Sequence, residues 1–303
     1  MTSLGRCLLI GDVAEDDVIY RRVALNASTV AIMSSRAGAW HLDGTDTLFL
    51  FASRTERSTL DAILDRVPPS LRDGQIVALF DRPHGDHASH LIQRDVHHVV
   101  NLDHKNAERD FAWLLSRLGV PETAPEPTSD SLRLARLLDS SAAMSDLQLS
   151  TGKDRIDFLR DIERLTTRSA LPKRFSELLQ RSAEELISNA LLGAADQDCM
   201  VESIIMTDGR RWILSVSDDS GTLQWPAVRR HLGAALTDQD LASNPSGGGL
   251  GLSMVLRGST HVLFDVLENE RTTVTSVLDV TDTFRGFAER GKSVSFSSHR
   301  KSH

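Results

Sequence analysis

Cysteine is almost absent from this sequence. There are two, Cys7 and Cys199, in different halves of the 303 residues. That excludes a disulfide framework and a closely spaced Cys–Cys metal pair, and it fits a reducing compartment. Long apolar runs are also missing. The N-terminal "CLLIG" is far too short for a signal sequence or a membrane span, so a cytoplasmic protein with no membrane contact is expected. Basic residues do not prevail: 34 Lys and Arg stand against 42 Asp and Glu, a formal net charge of −8. A nucleic-acid partner is therefore not expected. No internal repeat is visible.

What remains is an ordinary globular composition at a length that suits two domains. In the first 120 residues, short apolar runs alternate with amphipathic ones. "RCLLIGD", "TDTLFLFAS", "GQIVALFD" and "HHVVNLD" read as buried strands, with helical spacing between them and in "KNAERDFAWLLSRLG" after them. Such alternation predicts a doubly wound parallel sheet with helices on both faces. Residues 121–130, "PETAPEPTSD", have little to bury and read as a linker.

The pattern then changes. "SLRLARLLDSSAAM" and "DRIDFLRDIERLTTR" predict a helical connector over 131–170, an amphipathic pair with the potential to dimerise the chain. Pro172 can open a third helix, "PKRFSELLQRSAEELISNALLGA". "CMVESIIMT" and "RRWILSVSD" form a strand pair joined through Asp208-Gly209, and "HVLFDVLENERTTVTSVLDV" a second hairpin. The polar end, residues 291–303, reads as a frayed tail.

Three short elements of the second half carry candidate chemistry. Glu185 and Asn189 lie one turn apart on the third helix, beside an apolar stripe. An amide oxygen there can ligate Mg²⁺, and a carboxylate one turn earlier can deprotonate a nucleophile. Alone, the pair reads more simply as surface decoration, with Glu185 bridged to Arg181 and Asn189 facing solvent. "SVSDDSGT" ends a strand in acids followed by Gly221, which suits either an adenine amine or a simple Asx turn. "SGGGLGLSMV" enters a helix through glycines that let backbone approach phosphate, or it is only a loop before a capped helix. It is no Walker loop, since no Gly-Lys-Ser/Thr follows that run.

In this order and within about ninety residues, the three together resemble the GHKL superfamily of ATPases, which includes histidine kinases and anti-sigma serine kinases. "ELISNA" resembles the N box, "DDSG" the first glycine box and "GGGLGL" the second, over residues 165–282. The resemblance implies an α/β sandwich, the Bergerat fold, over 171–290 that binds ATP with Mg²⁺. It implies Asn189 as the metal ligand and Glu185 as the catalytic acid–base residue. It implies Asp219 and Gly221 at the adenine, and Gly247, Gly249, Leu250, Gly251 and Leu252 along the phosphates and lid hinge. Segment 222–246 would be the ATP lid, with Arg229 or Arg230 reaching the triphosphate. Leu223 replaces the usual second glycine of the first box, and no phenylalanine box is recognisable.

Between His104 and His231 there is no histidine. A self-phosphorylating histidine kinase of the usual layout is therefore not expected. Residues 1–120 resemble a two-component receiver, a flavodoxin-like domain, with Asp12 after the first strand. Phe51, Ala52 and Ser53 stand where the phosphorylated Asp belongs, and Phe80 and Asp81 where Thr or Ser is usual. This implies a degenerate receiver, a docking module. His84, His87, His90, His97, His98 and His104 cluster there, without the matched ligands that a structural metal needs. The expected function is a signalling protein that binds Mg-ATP and acts as a kinase or slow ATPase on a partner protein. The alternative is a non-catalytic, ATP-gated scaffold or anti-sigma-like switch.

Overall fold

A computed structural model of the chain describes residues 4–11, 18–34, 42, 45–72, 75–81, 85–103, 106–118, 138, 143–149, 152–193, 200–236, 250–280 and 283–299. The first half runs β1 (Arg6–Ile10), α1 (Val18–Asn26), β2 (Thr29–Met33), β3 (Thr47–Phe51), α2 (Arg57–Leu64), α3 (Pro69–Arg72), β4 (Ile76–Phe80), α4 (Gly85–Gln93), β5 (His98–Asn101) and α5 (Ala107–Leu118). The second runs β6 (Ala143–Leu149), α6 (Gly152–Arg168), α7 (Lys173–Gly193), β7 (Val201–Thr207), β8 (Arg211–Asp218), α8 (Trp225–Leu236), α9 (Leu250–Arg257), β9 (His261–Leu267), β10 (Arg271–Asp279), α10 (Phe284–Glu289) and β11 (Ser293–His299).

Among the described residues the strands join one mixed sheet of eleven, in the order β2-β1-β3-β4-β5-β11-β9-β10-β8-β7-β6. The first five are parallel. β3 and β4 are buried along their whole length, because helices cover both faces. Alternate residues therefore serve two cores. Phe49 and Leu79 pack with Phe111, Leu114 and Leu115 of α5, while Leu48, Leu50 and Ala78 pack with Ile63 and Leu91 on the other side. In the second half β6, β7, β8, β10 and β9 are antiparallel neighbours. Helices α7 and α9 pack on one face, through Leu179, Ala183, Ile187 and Val255. No helix among the described residues is long and apolar enough to cross a membrane.

Three strands depart from expectation. The 291–303 tail, expected to fray, contains β11, which pairs in parallel with all seven positions of β9 and antiparallel with β5. Its alternation explains the mistake. Ser293 and Ser295 are buried by polar partners: Ser293 Oγ accepts from Asn101 N at 2.9 Å, and His261 Nε2 lies 3.0 Å from Ser295 Oγ. Val294 and Phe296 enter the shared apolar core. The connector over 131–170 is not wholly helical, since β6 occupies Ala143–Leu149 and pairs with β7 from Ala143↔Thr207 to Leu149↔Val201. β2 is a short edge strand that lies beside β1. The linker 121–130 lies outside the described residues.

The halves are joined by more than β11. Arg211 of β8 bonds Asp110 of α5, and both side chains are 1% exposed. Asn106 donates to Asp279 at 2.5 Å, and Asn101 Nδ2 to Gly291 O at 2.8 Å. Trp113 of α5 packs on Ile204, Ile213, Leu263 and Val277. Helix α4 packs along α8.

Candidate functional site

Several chemistry-bearing residues of the second half, Glu185, Asn189, Asp218 and Gly251 among them, line one cavity of about 710 Å³. Helix α7 forms one wall. It starts just after Pro172, whose carbonyl accepts from Phe175 N at 2.9 Å. Leu179, Ala183, Leu186, Ile187 and Ala190 bury one stripe of α7 in the core. Glu185 and Asn189 follow that stripe's edge, one turn apart, and both line the cavity.

Glu185 makes no ion pair with Arg181 among the described residues. Its neighbour Glu184 does the surface pairing, with Arg155 Nη2 at 2.8 Å. Glu185 instead meets the first turn of α9. A Cβ on Gly251 would sit 2.0 Å from Glu185 Oε2 and 2.9 Å from its Cδ. Only glycine lets this helix start approach the carboxylate so closely. Leu252, one residue on, also lines the cavity. Gly247 and Gly249 lie outside the described residues, as does the side chain of Leu250.

The sheet forms the opposite polar wall. Asp219 is exposed and does not border the cavity; the carboxylate on the wall is Asp218, 8% exposed at the end of β8. The strand's period of two decides this, since adjacent residues point to opposite sides. Asp218 Oδ1 accepts from Ser220 N at 2.9 Å and from Ser220 Oγ, an Asx turn that fixes the carboxylate. Gly221 does not line the cavity either. Its φ is +56°, and a Cβ there would meet Leu267 O at 2.2 Å and Glu270 N at 2.4 Å. Its role is to let the chain pass under the β9–β10 turn, where Asn269 N donates to Gly221 O at 3.1 Å.

Thr272 is the residue the sequence reading missed. It is the register partner of Asp218 on β10, is 5% exposed and lines the cavity. Its Oγ1 is buried and has no hydrogen-bond partner among the described residues. A buried hydroxyl left without a partner costs about 1–3 kcal/mol, so a polar ligand group placed here would be favoured. Only the pairing of β10 with β8, distant in sequence, reveals it. The wall between these polar groups is apolar, with Val216, Leu223, Val228, Phe264 and Val274.

No protein-family model matches the chain, and no characterised protein matches it in sequence. The reading of this cavity therefore rests on its own chemistry. Of the charged groups on its wall, Arg155 offsets Glu184, which leaves Glu185 and Asp218 with His231. Such a wall repels a bare polyphosphate and accepts one that carries a divalent cation. The Asn189 amide oxygen on that wall is a hard donor of the kind such an ion takes. Among the described residues no group of three or more His, Cys, Asp or Glu is placed to hold a metal by itself.

Two further expectations change. Segment 222–246 begins with a helix, α8, that supplies Ala227, Val228 and His231 to the cavity wall; residues 237–246 lie outside the described residues. Arg229 does not reach the cavity. Its Nη1 donates to Asp95 and, at 3.3 Å, to Gln93 O in the first half. Arg230 is exposed and also off the wall. In the first half, Ser53 Oγ donates to Asp81 Oδ1 at 2.5 Å where strands β3 and β4 end. Asp12 lies outside the described residues. His90 bonds Asp61 and Arg57, each at 2.8 Å, while His97 packs against Trp225.

Proposed function

We propose that the chain binds Mg-ATP in this cavity through a GHKL-type, Bergerat-fold module built from β6–β10 and α6–α9. The flavodoxin-like half before it is a receiver-like module that lost its phosphorylation chemistry. The strand order β2-β1-β3-β4-β5 supports the second assignment, since it is the flavodoxin-like order. Ser53 just after β3 supports the loss, because it puts a hydroxyl, donating to Asp81, where the resemblance expects the phosphoryl-accepting carboxylate. The observation that carries the nucleotide reading is the convergence of Glu185 against Gly251 with Asn189, Asp218 and the Thr272 hydroxyl, unpaired among the described residues, around one cavity.

In this reading Asp218 accepts the exocyclic amine of adenine and Thr272 completes the polar edge of the base. The apolar residues between them cover the base's faces. Asn189 would hold Mg²⁺ through its amide oxygen, and the ion would supply charge neutralisation at the phosphates. Glu185 accepts the proton of an attacking hydroxyl, from a partner's side chain or from water, as its oxygen bonds the γ-phosphorus and the bond to ADP breaks. The chain would then be a cytoplasmic kinase or slow ATPase that acts on a partner. A second reading, an ATP-gated scaffold, is favoured by the packing of α8 on the first half.

Titration with Mg-ATP tests the site. Asn189→Ala is expected to weaken Mg-dependent affinity by ~10- to 100-fold, and equal affinity would remove the assignment. Glu185→Ala separates the readings: bound ATP with turnover abolished supports catalysis, while no turnover in wild type with its partner supports the scaffold.

A further inference from the structure

Helix α8 has two working faces. Ala227, Val228 and His231 line the nucleotide cavity. Trp225 and Arg229, one turn apart, face the first half. Trp225 is 6% exposed, with the His97 ring 4.6 Å from its own and the Phe296 ring at 5.4 Å. Those three rings come from the approach to β5, from α8 and from β11, so one cluster ties α8 to both the first half and the bridging strand. Arg229 closes the contact by donating to Asp95 and to Gln93 O. Asp95 sits at φ +63°, a left-handed conformation at the end of α4 that Asp tolerates better than most residues. The turn that stops α4 thus carries the carboxylate that holds α8.

Across the cavity the same helix is tied to α9. Ser253 Oγ donates to His231 O at 2.9 Å. The helix start that brings Gly251 to Glu185 is therefore in register with α8, and α8 is in register with α4. The position of one cavity wall depends on the first half.

We infer that the α4–β5 corner of the first half is a built-in clamp on the nucleotide site. Docked, it holds α8 where the wall is complete, and nucleotide binding in turn tightens the docking. This rests on the nucleotide reading above and adds its regulation. A partner or modification that loosens the corner lowers nucleotide affinity with no contact to the cavity. Linkage requires the effect to be reciprocal.

The test uses the full chain. Mg-ATP affinity is measured for wild type, Arg229→Glu, His97→Ala and the Arg229→Glu/Asp95→Lys pair. Amide exchange over Gly85–Gln93 is measured in wild type with and without saturating Mg-ATP. Expected are a ~5- to 20-fold loss in each single variant, recovery in the charge-swapped pair, and slower exchange in α4 when nucleotide is bound. Equal affinity in wild type and both single variants overturns the clamp and leaves nucleotide binding standing. Wild type that binds no nucleotide overturns the nucleotide reading, and the clamp falls with it.

Discussion

Gly251→Ala is the perturbation that separates site chemistry from stability most cleanly. The added Cβ would lie 2.0 Å from Glu185 Oε2. Helix α9 itself gains, because alanine in place of glycine is worth up to about 1 kcal/mol in a helix. The atom in the way is the tip of a flexible side chain, so Glu185 swings aside. An off-rotamer displacement of that kind costs about 0.5–1.5 kcal/mol. The two terms nearly cancel, and unfolding in urea should move by no more than about 1 kcal/mol. Glu185, however, leaves its place. A misplaced general base costs on the order of 100-fold in turnover. The double-mutant cycle with Glu185→Ala makes this sharp. In that background the obstruction is gone, so Gly251→Ala should stabilise by close to the full ~1 kcal/mol. If Gly251→Ala has the same effect on stability with and without the Glu185 side chain, the two residues do not touch and the site geometry argued above is wrong.

Two further outcomes follow from buried charges. Lys292 Nζ lies 3.7 Å over the Phe287 ring and donates to Phe287 O at 3.0 Å, with its pKa pushed down to about 7 by burial and by Arg290 beside it. The unfolded chain holds that proton up to the ordinary 10.5, so stability rises with pH between about 7 and 10.5 and is flat in this respect below; Lys292→Met should remove the slope and stabilise the protein most below pH 7, as urea unfolding across that range would register. Arg211→Met leaves Asp110 charged and buried, and should cost about 3–5 kcal/mol, whereas Arg211→Met with Asp110→Leu should recover most of it.

The legible parts of this molecule are those where sequence and local physics agree. "TLFLF" and "IVALF" announce themselves as strands buried on both faces, and β7 and β8 meet through Asp208-Gly209 with Gly209 at φ +86°. Glu185 and Asn189 were placed on one helix flank by spacing alone, and they do border the cavity. What failed depends on distant chain. "SVSFSSH" looks like a polar tail until β5 and β9 supply partners for its serines. Asp218 and Asp219 are chemically identical, and only strand phase decides which faces inward. Thr272 belongs to a threonine-rich strand in which nothing local marks it; its meaning comes from standing opposite Asp218. Arg229 carried a charge suited to phosphate, but the face of α8 it occupies meets Asp95.

The most direct measurement is a calorimetric titration of the intact chain with ATP, with and without Mg²⁺. Predicted is saturable one-to-one binding that depends on Mg²⁺ and weakens about 10-fold in both Asp218→Asn and Thr272→Val, each of which removes one polar partner of the base at a cost of roughly 1–2 kcal/mol. Absence of binding in wild type, or affinities unchanged by both substitutions, would contradict the account.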